Sequence, residues 1–138
     1  MISELSGKLF IGGRWNAGAG ARIAVTNPAT GEVIGEIAAS TADEINKAVA
    51  AARAAFRGWA DLPAKARSAA LHRLGDAIAA DADRMARIMT MEQGKPLNEA
   101  RGEILKLAEA CHFYAEEAVR VHGEIVPGDT TDHHSLVL

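Results

Sequence analysis

The sequence predicts an α/β chain in three parts, with β-hairpins over residues 8–39, helices over 41–122 and a return to β texture over 123–138. Three observations carry this. Short apolar runs alternate with Gly and Pro turn formers in the first part. Behind a recognisable cap, apolar residues recur at three- and four-residue spacing in the second. Two apolar runs flank a polar loop in the third.

In the first part, Lys8 to Ile11 reads as a short strand, followed by the turn former Gly12-Gly13 and then Arg14-Trp15. The Gly- and Ala-rich stretch from Asn16 to Ala21 reads as a loop. Arg22 to Asn27 and Glu32 to Ile37 read as two strands joined by Pro28-Ala29-Thr30-Gly31. A Pro early and a Gly late in such a linker suit a hairpin, with Gly31 free to take positive φ.

The helical part opens on Thr41-Ala42-Asp43-Glu44, a capping box in which Thr41 accepts from the Glu44 N–H while Glu44 reaches back. Ile45, Ala48, Val49, Ala52 and Phe56 follow at helical spacing, and Gly58 is placed to end this helix. Asp61 and Pro63 start a second, whose stripe of Leu71, Leu74 and Ile78 continues through Met85, Ile88 and Met89 to a stop at Gly94. Asn98 is expected to cap a third, long helix with Ile104, Leu107, Ala108, Cys111, Ala115 and Val119 on one face, and Gly123 to close it.

Glu124 to Val126 and Ser135 to Leu138 are strand candidates around the loop from Pro127 to His134. An end on an apolar run, where frayed polar residues are usual, predicts a chain that belongs to something longer.

Composition narrows the function classes. A 49% hydrophobic and 24% charged makeup fits a globular chain, but aromatics are only 4% and alanine supplies much of the apolar share, so the core should be thin. A net charge of −3 gives no electrostatic footprint for nucleic acid or an anionic membrane. The single cysteine, Cys111, excludes an internal disulfide and suits a reducing compartment. No apolar run approaches the roughly 20 residues of a membrane span, and no basic, then apolar, leader opens the sequence. The expectation is a cytoplasmic protein.

The two common phosphate-cradling loops are missing. Neither G-x-G-x-x-G nor G-x-x-x-x-G-K-[ST] occurs; Gly94-Lys95 is followed by Pro96 where the second motif needs a hydroxyl. Cys111 falls mid-helix on the apolar stripe, and His112 beside it points roughly 100° away around the helix, so Cys111 reads as a packing residue and not as a nucleophile. His133-His134 lie in a loop with no third ligand nearby and read as solvated. His72 and His122 read as isolated packing or surface residues. Glu99, Arg101, Glu103 and Lys106 read as a solvated face in which Glu103 reaches Glu99 and Lys106. Met85, Met89 and Met91 read as core filler.

Several segments taken in order are more specific. Phe10-Ile11-Gly12-Gly13-Arg14-Trp15, Asn27-Pro28-Ala29-Thr30-Gly31-Glu32-Val33-Ile34, Ala54-Ala55-Phe56-Arg57-Gly58-Trp59, Glu92-Gln93-Gly94-Lys95-Pro96 and Phe113-Tyr114-Ala115 together resemble the opening of an aldehyde dehydrogenase, and the resemblance runs from about Leu9 to Leu138. Glu92 to Leu97, Glu99 to Ile104 and Phe113 to Ala118 look most like the succinate-semialdehyde dehydrogenase branch.

The resemblance implies an enzyme with a Rossmann-like cofactor domain, a catalytic domain and a β oligomerisation arm. A cysteine attacks the aldehyde, hydride passes to NAD or NADP, and a glutamate-activated water cleaves the thioester; an asparagine and a backbone N–H hold the oxyanion. All these groups are expected beyond Leu138, so this chain should hold no catalytic or cofactor-binding residue and be inactive alone. Residues 1–122 would form the outer hairpins and helical layer of the cofactor domain, and 123–138 the start of the arm. The parent would act on a small aldehyde as a homo-oligomer. Some family members bind Na+ or K+ through a backbone carbonyl before the Asn-Pro turn and a carboxylate before Gly-Lys-Pro. The matching positions are Val25 or Thr26, and Glu92; the other reading of Glu92 is a surface carboxylate with no ion. The alternative for the whole chain is a self-standing helical module that binds a partner or itself, and a thiol enzyme built on Cys111 is the remotest reading.

Overall fold

The computed structural model describes residues 7–137, in the order β1 (Lys8–Ile11), β2 (Arg14–Ala17), β3 (Arg22–Thr26), β4 (Val33–Ala38), α1 (Ala42–Ala60), α2 (Ala64–Ala80), α3 (Ala82–Gln93), α4 (Leu97–Glu117), β5 (Glu124–Pro127) and β6 (His134–Val137). Residues 1–6 of the expected 1–122 unit and Leu138 of the expected last strand lie outside the described residues. The α/β class holds, and each described sheet is a two-stranded antiparallel hairpin.

The first hairpin turns on Gly12 and Gly13, with φ of 61° and 77°. Those are the left-handed positions a two-residue type I′ turn needs, and side chains would strain there. The turn fixes the register, so Phe10 pairs with Trp15 and their rings lie 5.0 Å apart. Pairing continues through Asn16 and Ala17, which therefore belong to β2 and not to the expected loop. The second hairpin slips register between Val25 and Thr26, pairing Val25 with Gly35 but Thr26 with Val33. Asn27 closes the turn, donating to Glu32 O and accepting from Gly31 N at 2.8 Å each, so β3 ends one residue earlier than expected. The Gly7 N–H donates to Glu36 O at 3.0 Å, and Arg22 Nη1 to Gly7 O at 2.6 Å, tying the two hairpins together.

The Thr41–Glu44 capping box forms as expected. Gly58 does not end α1, which runs on to Ala60; Gly58 lacks the positive φ of a C-cap, and the Asp61 N–H still reaches Arg57 O at 3.0 Å. The expected single second helix is two. At Asp81 (φ −103°, ψ 9°) the backbone leaves the helix, and Arg84 clamps the Asp81 carboxylate, with its Nε donating at 2.8 Å. That bond holds Asp81 below the usual carboxylate range. The break lets the stripes of α2 and α3 meet α4 from different directions.

Gly94 ends α3 as expected, at φ 79° with its N–H on Thr90 O at 2.9 Å. The next helix starts earlier than its expected Asn98 cap: Pro96, extended at ψ 137°, is the N-cap, and the Ala100 N–H closes the first turn on Pro96 O. Proline just ahead of a helix costs nothing, because its missing N–H is one a first turn leaves unused. Gly123 does not cap α4. The helix ends at Glu117 and tightens into i,i+3 bonds, Val119 N to Glu116 O and Arg120 N to Glu117 O, six residues before β5.

Packing centres on α4, flanked by α2 and α3. The buried seam is Ala100, Ile104, Ala108 and Ala115, met by Ala82 and Ala86 of α3. Of the expected α4 face, Ile104, Ala108 and Ala115 are buried while Leu107 and Val119 are exposed, and Ala100 joins the seam. Ile104 is the one large side chain among these buried residues, contributing about 1.5–3 kcal/mol. Alanine seams gain by close backbone approach. At Gly75 of α2 a Cβ would lie 2.8 Å from His112 Nε2 and 3.0 Å from Ala108 O, so only glycine lets α4 come this near.

Candidate functional site

Three places bring polar chemistry together. The first is where β3 meets α3. A Cβ on Gly94 would stand 2.9 Å from Pro28 Cγ, so the Asn-Pro turn sits against the C-terminus of α3. This brings the Val25–Thr26 backbone and Glu92, expected from the sequence to act together, onto neighbouring elements. The register slip disrupts the ladder at Val25 and Thr26. Glu92 is exposed, without a hydrogen-bond or ion-pair partner among the described residues, and lines a groove of about 360 Å³ with Met85, Ile88, Met89 and Ile104. Met85 and Met89 thus form a groove wall and are only half-buried, while Met91 is exposed, so the three methionines are not core filler.

The second place is the start of α1. The Glu44 carboxylate accepts from Thr41 N (2.8 Å), Thr41 Oγ1 (2.9 Å) and Ala19 N (2.8 Å). The backbone donors of Thr41 and Ala19 hold its carboxyl below the ordinary value. The capping box therefore also anchors the loop between the first two hairpins, a contact 25 residues away in sequence that local spacing could not show.

The third place corrects the reading of His72 as isolated. His72 Nδ1 lies 2.9 Å from His112 Nδ1, across the α2–α4 seam. His72 Nε2 lies 3.0 Å from Glu116 Oε1, and His112 Nε2 lies 3.5 Å from Asp76 Oδ1. The spacing Asp76 = 72 + 4 and Glu116 = 112 + 4 is legible in the sequence; that the two pairs face each other is not. His122 is exposed, its Nδ1 2.6 Å from Arg120 O.

Cys111 is half-buried and unpaired. Glu103 pairs with Lys95 across the α3–α4 turn and not with its helix neighbours Glu99 or Lys106; that contact raises the Lys95 ammonium above its usual value. His133 and His134 are exposed in and beside the β5–β6 turn. Among the described residues no group of three or more His, Cys, Asp or Glu side chains could hold a metal ion, and no helix is long and apolar enough to cross a membrane.

The sequence pattern of the aldehyde dehydrogenase family matches residues 15–138. A glutarate-semialdehyde dehydrogenase of Pseudomonas putida is 45% identical over 94% of this chain and 27% of its own length. The mitochondrial succinate-semialdehyde dehydrogenase of Arabidopsis thaliana is 43% identical over 94% of this chain and 25% of its own, and the NADP(+) succinate-semialdehyde dehydrogenase of Escherichia coli is 40% identical over 94% and 27%. Among solved structures, an aldehyde dehydrogenase from Brucella melitensis biovar abortus superposes with a TM-score of 0.88 at 44% identity, covering 93% of this chain and 27% of that one. A succinate-semialdehyde dehydrogenase from Burkholderia pseudomallei gives 0.86 at 41%, covering 94% and 27%. The chain thus spans about a quarter of the length of these relatives. With the family pattern matched over residues 15–138 and TM-scores of 0.88 and 0.86 to these two structures, this chain belongs to the aldehyde dehydrogenase family.

Proposed function

We propose that the chain is the outer hairpin and helical layer of an NAD(P)-dependent semialdehyde dehydrogenase, with no turnover of its own. The observation that carries this is the match of nearly the whole chain to about a quarter of the length of semialdehyde dehydrogenases, while among the described residues no polar cluster pairs a nucleophile with a base. In this reading residues 1–122 belong to the cofactor domain and 123–138 begin an arm that pairs subunits. Succinate and glutarate semialdehydes differ by one methylene, a difference worth about 1–3 kcal/mol in an apolar pocket; both are named among the relatives, and succinate semialdehyde is the first choice on the Glu92–Ile104 and Phe113–Ala118 segments. The lone thiol suits a reducing compartment such as the cytoplasm.

The test is NAD(P) reduction with both semialdehydes, run on this chain and on the whole product of its gene. Turnover by the long form and none by the chain is expected. Turnover by the chain contradicts the proposal; a long form silent with both substrates contradicts it as well and favours a partner-binding role.

The Val25 or Thr26 carbonyl and the Glu92 carboxylate are proposed as ligands of a Na+ or K+ ion. Hard oxygen donors suit such an ion, and the Pro28–Gly94 approach puts their elements side by side. Replacing K+ by choline should lower the thermal midpoint of the whole gene product, and Glu92→Gln should remove that dependence. A midpoint indifferent to the cation leaves Glu92 as a plain surface carboxylate.

A further inference from the structure

Two imidazoles with Nδ1 atoms 2.9 Å apart can hold one proton between them, no more and no fewer. A second places N–H against N–H; with none, two lone pairs face each other. The outer nitrogens are constrained as well. Each faces a carboxylate, Glu116 at 3.0 Å and Asp76 at 3.5 Å, and an ionised carboxylate only accepts. Glu116···His72···His112 are hydrogen bonds, and His112 to Asp76 at 3.5 Å is an ion-pair contact made when that ring is protonated; filling all three takes three protons on four ring nitrogens. That is one imidazole and one imidazolium, a single positive charge shared by the pair and flanked by two negative ones.

The surroundings set this arrangement apart. The rings are 5.2 Å apart and tilted by 35°, and the His112 ring covers the bare face of Gly75, where a Cβ would meet α4. On α2 the charged neighbours are Arg73 and Asp76; on α4 they are Glu109 and Glu116. Helix α3, which also packs on α4, directs Asp83 to Arg101 at 2.7 Å and engages Arg84 with Asp81. Its other charges, Arg87 and Glu92, line grooves that neither imidazole enters. Among the described residues no group of three or more His, Cys, Asp or Glu side chains is arranged to hold a metal ion, and a proton is the bridge that fits two Nδ1 atoms 2.9 Å apart.

We propose that His72 and His112 form a proton-sharing latch between α2 and α4, closed when the pair carries one extra proton and opened by either gain or loss of a proton. Acid puts a second N–H on the inner pair and splits it. Base removes the third proton and leaves one ring nitrogen with its lone pair against a carboxylate. The latch is independent of the catalytic reading, since neither histidine takes part in the proposed chemistry.

The test is a titration of the full chain, 15N-labelled in its histidine rings and followed by two-bond proton–nitrogen spectra. Coupled sites titrate in steps that belong to the pair. The expected result is two separated protonation steps, each registered by both His72 and His112. His112→Gln should reduce His72 to a single step, and His72→Gln should do the same to His112. Single steps at each ring that ignore substitution of the other overturn the proposal. As a check free of spectral assignment, the thermal midpoints of the chain and of the His72→Gln/His112→Gln double variant are compared across pH. Their difference should pass through a maximum and shrink toward both acid and base; a difference independent of pH overturns the latch.

Discussion

Glu44 shows how much one side chain does when its partners come from two elements. It closes the capping box with Thr41 and accepts the Ala19 N–H from the loop after β2. Because the folded state lowers its proton affinity, its contribution is fully present above the ordinary glutamate range and is lost as pH falls through its depressed folded value. Glu44→Gln should therefore melt below the native chain at neutral pH, and the two should converge on acidification. Equal midpoints at neutral pH would show that the three contacts add nothing. Half of this site was legible in the sequence, since Thr41-x-x-Glu44 is a local pattern. The Ala19 contact was hidden, as was the meeting of His72 with His112, 40 residues apart. Local spacing reports i+3 and i+4 neighbours; it is silent on which helix faces which.

At the level of elements, period and turn chemistry located all three hairpins and the helical layer. Gly12-Gly13, Gly31 and Gly94 announced their turns because positive φ there demands glycine. Two misreadings share one cause, which is that a punctuating residue permits an ending without enforcing it. Gly58 sits inside α1 with nothing within 4 Å of its missing Cβ, and Gly123 lies beyond the end of α4. Asp81 carries no strong stop signal, yet it divides α2 from α3, because α4 must be met by two stripes pointing differently. The ion pair expected within α4 also moved, since Lys95 comes around the Gly94-Pro96 corner to take Glu103.

At the scale of the whole molecule, the seven buried apolar side chains among the described residues are six alanines and Ile104. The apolar stripe of α1 is present but uncovered, with Ile45, Val49 and Phe56 each more than half exposed, and α1 has no buried residue at all. Phe113 and Tyr114 stack edge to face at 5.3 Å on the open side of α4. The β5–β6 hairpin is exposed along both strands, and a lone two-stranded hairpin is marginal in water. Apolar surface on this scale marks faces that belong against other protein. The composition foretold the thin core; which faces stay bare follows from three-dimensional packing, which composition cannot give.

The central claim is that this chain is one layer of a larger aldehyde dehydrogenase and presents the faces that the remaining layers cover. Sedimentation velocity on the isolated chain over a wide concentration range tests it most directly. Concentration-dependent self-association, lost when the same residues are part of the whole gene product folded into a discrete assembly, is the predicted result. A clean monomer at every concentration would contradict it and would make the chain a self-sufficient module.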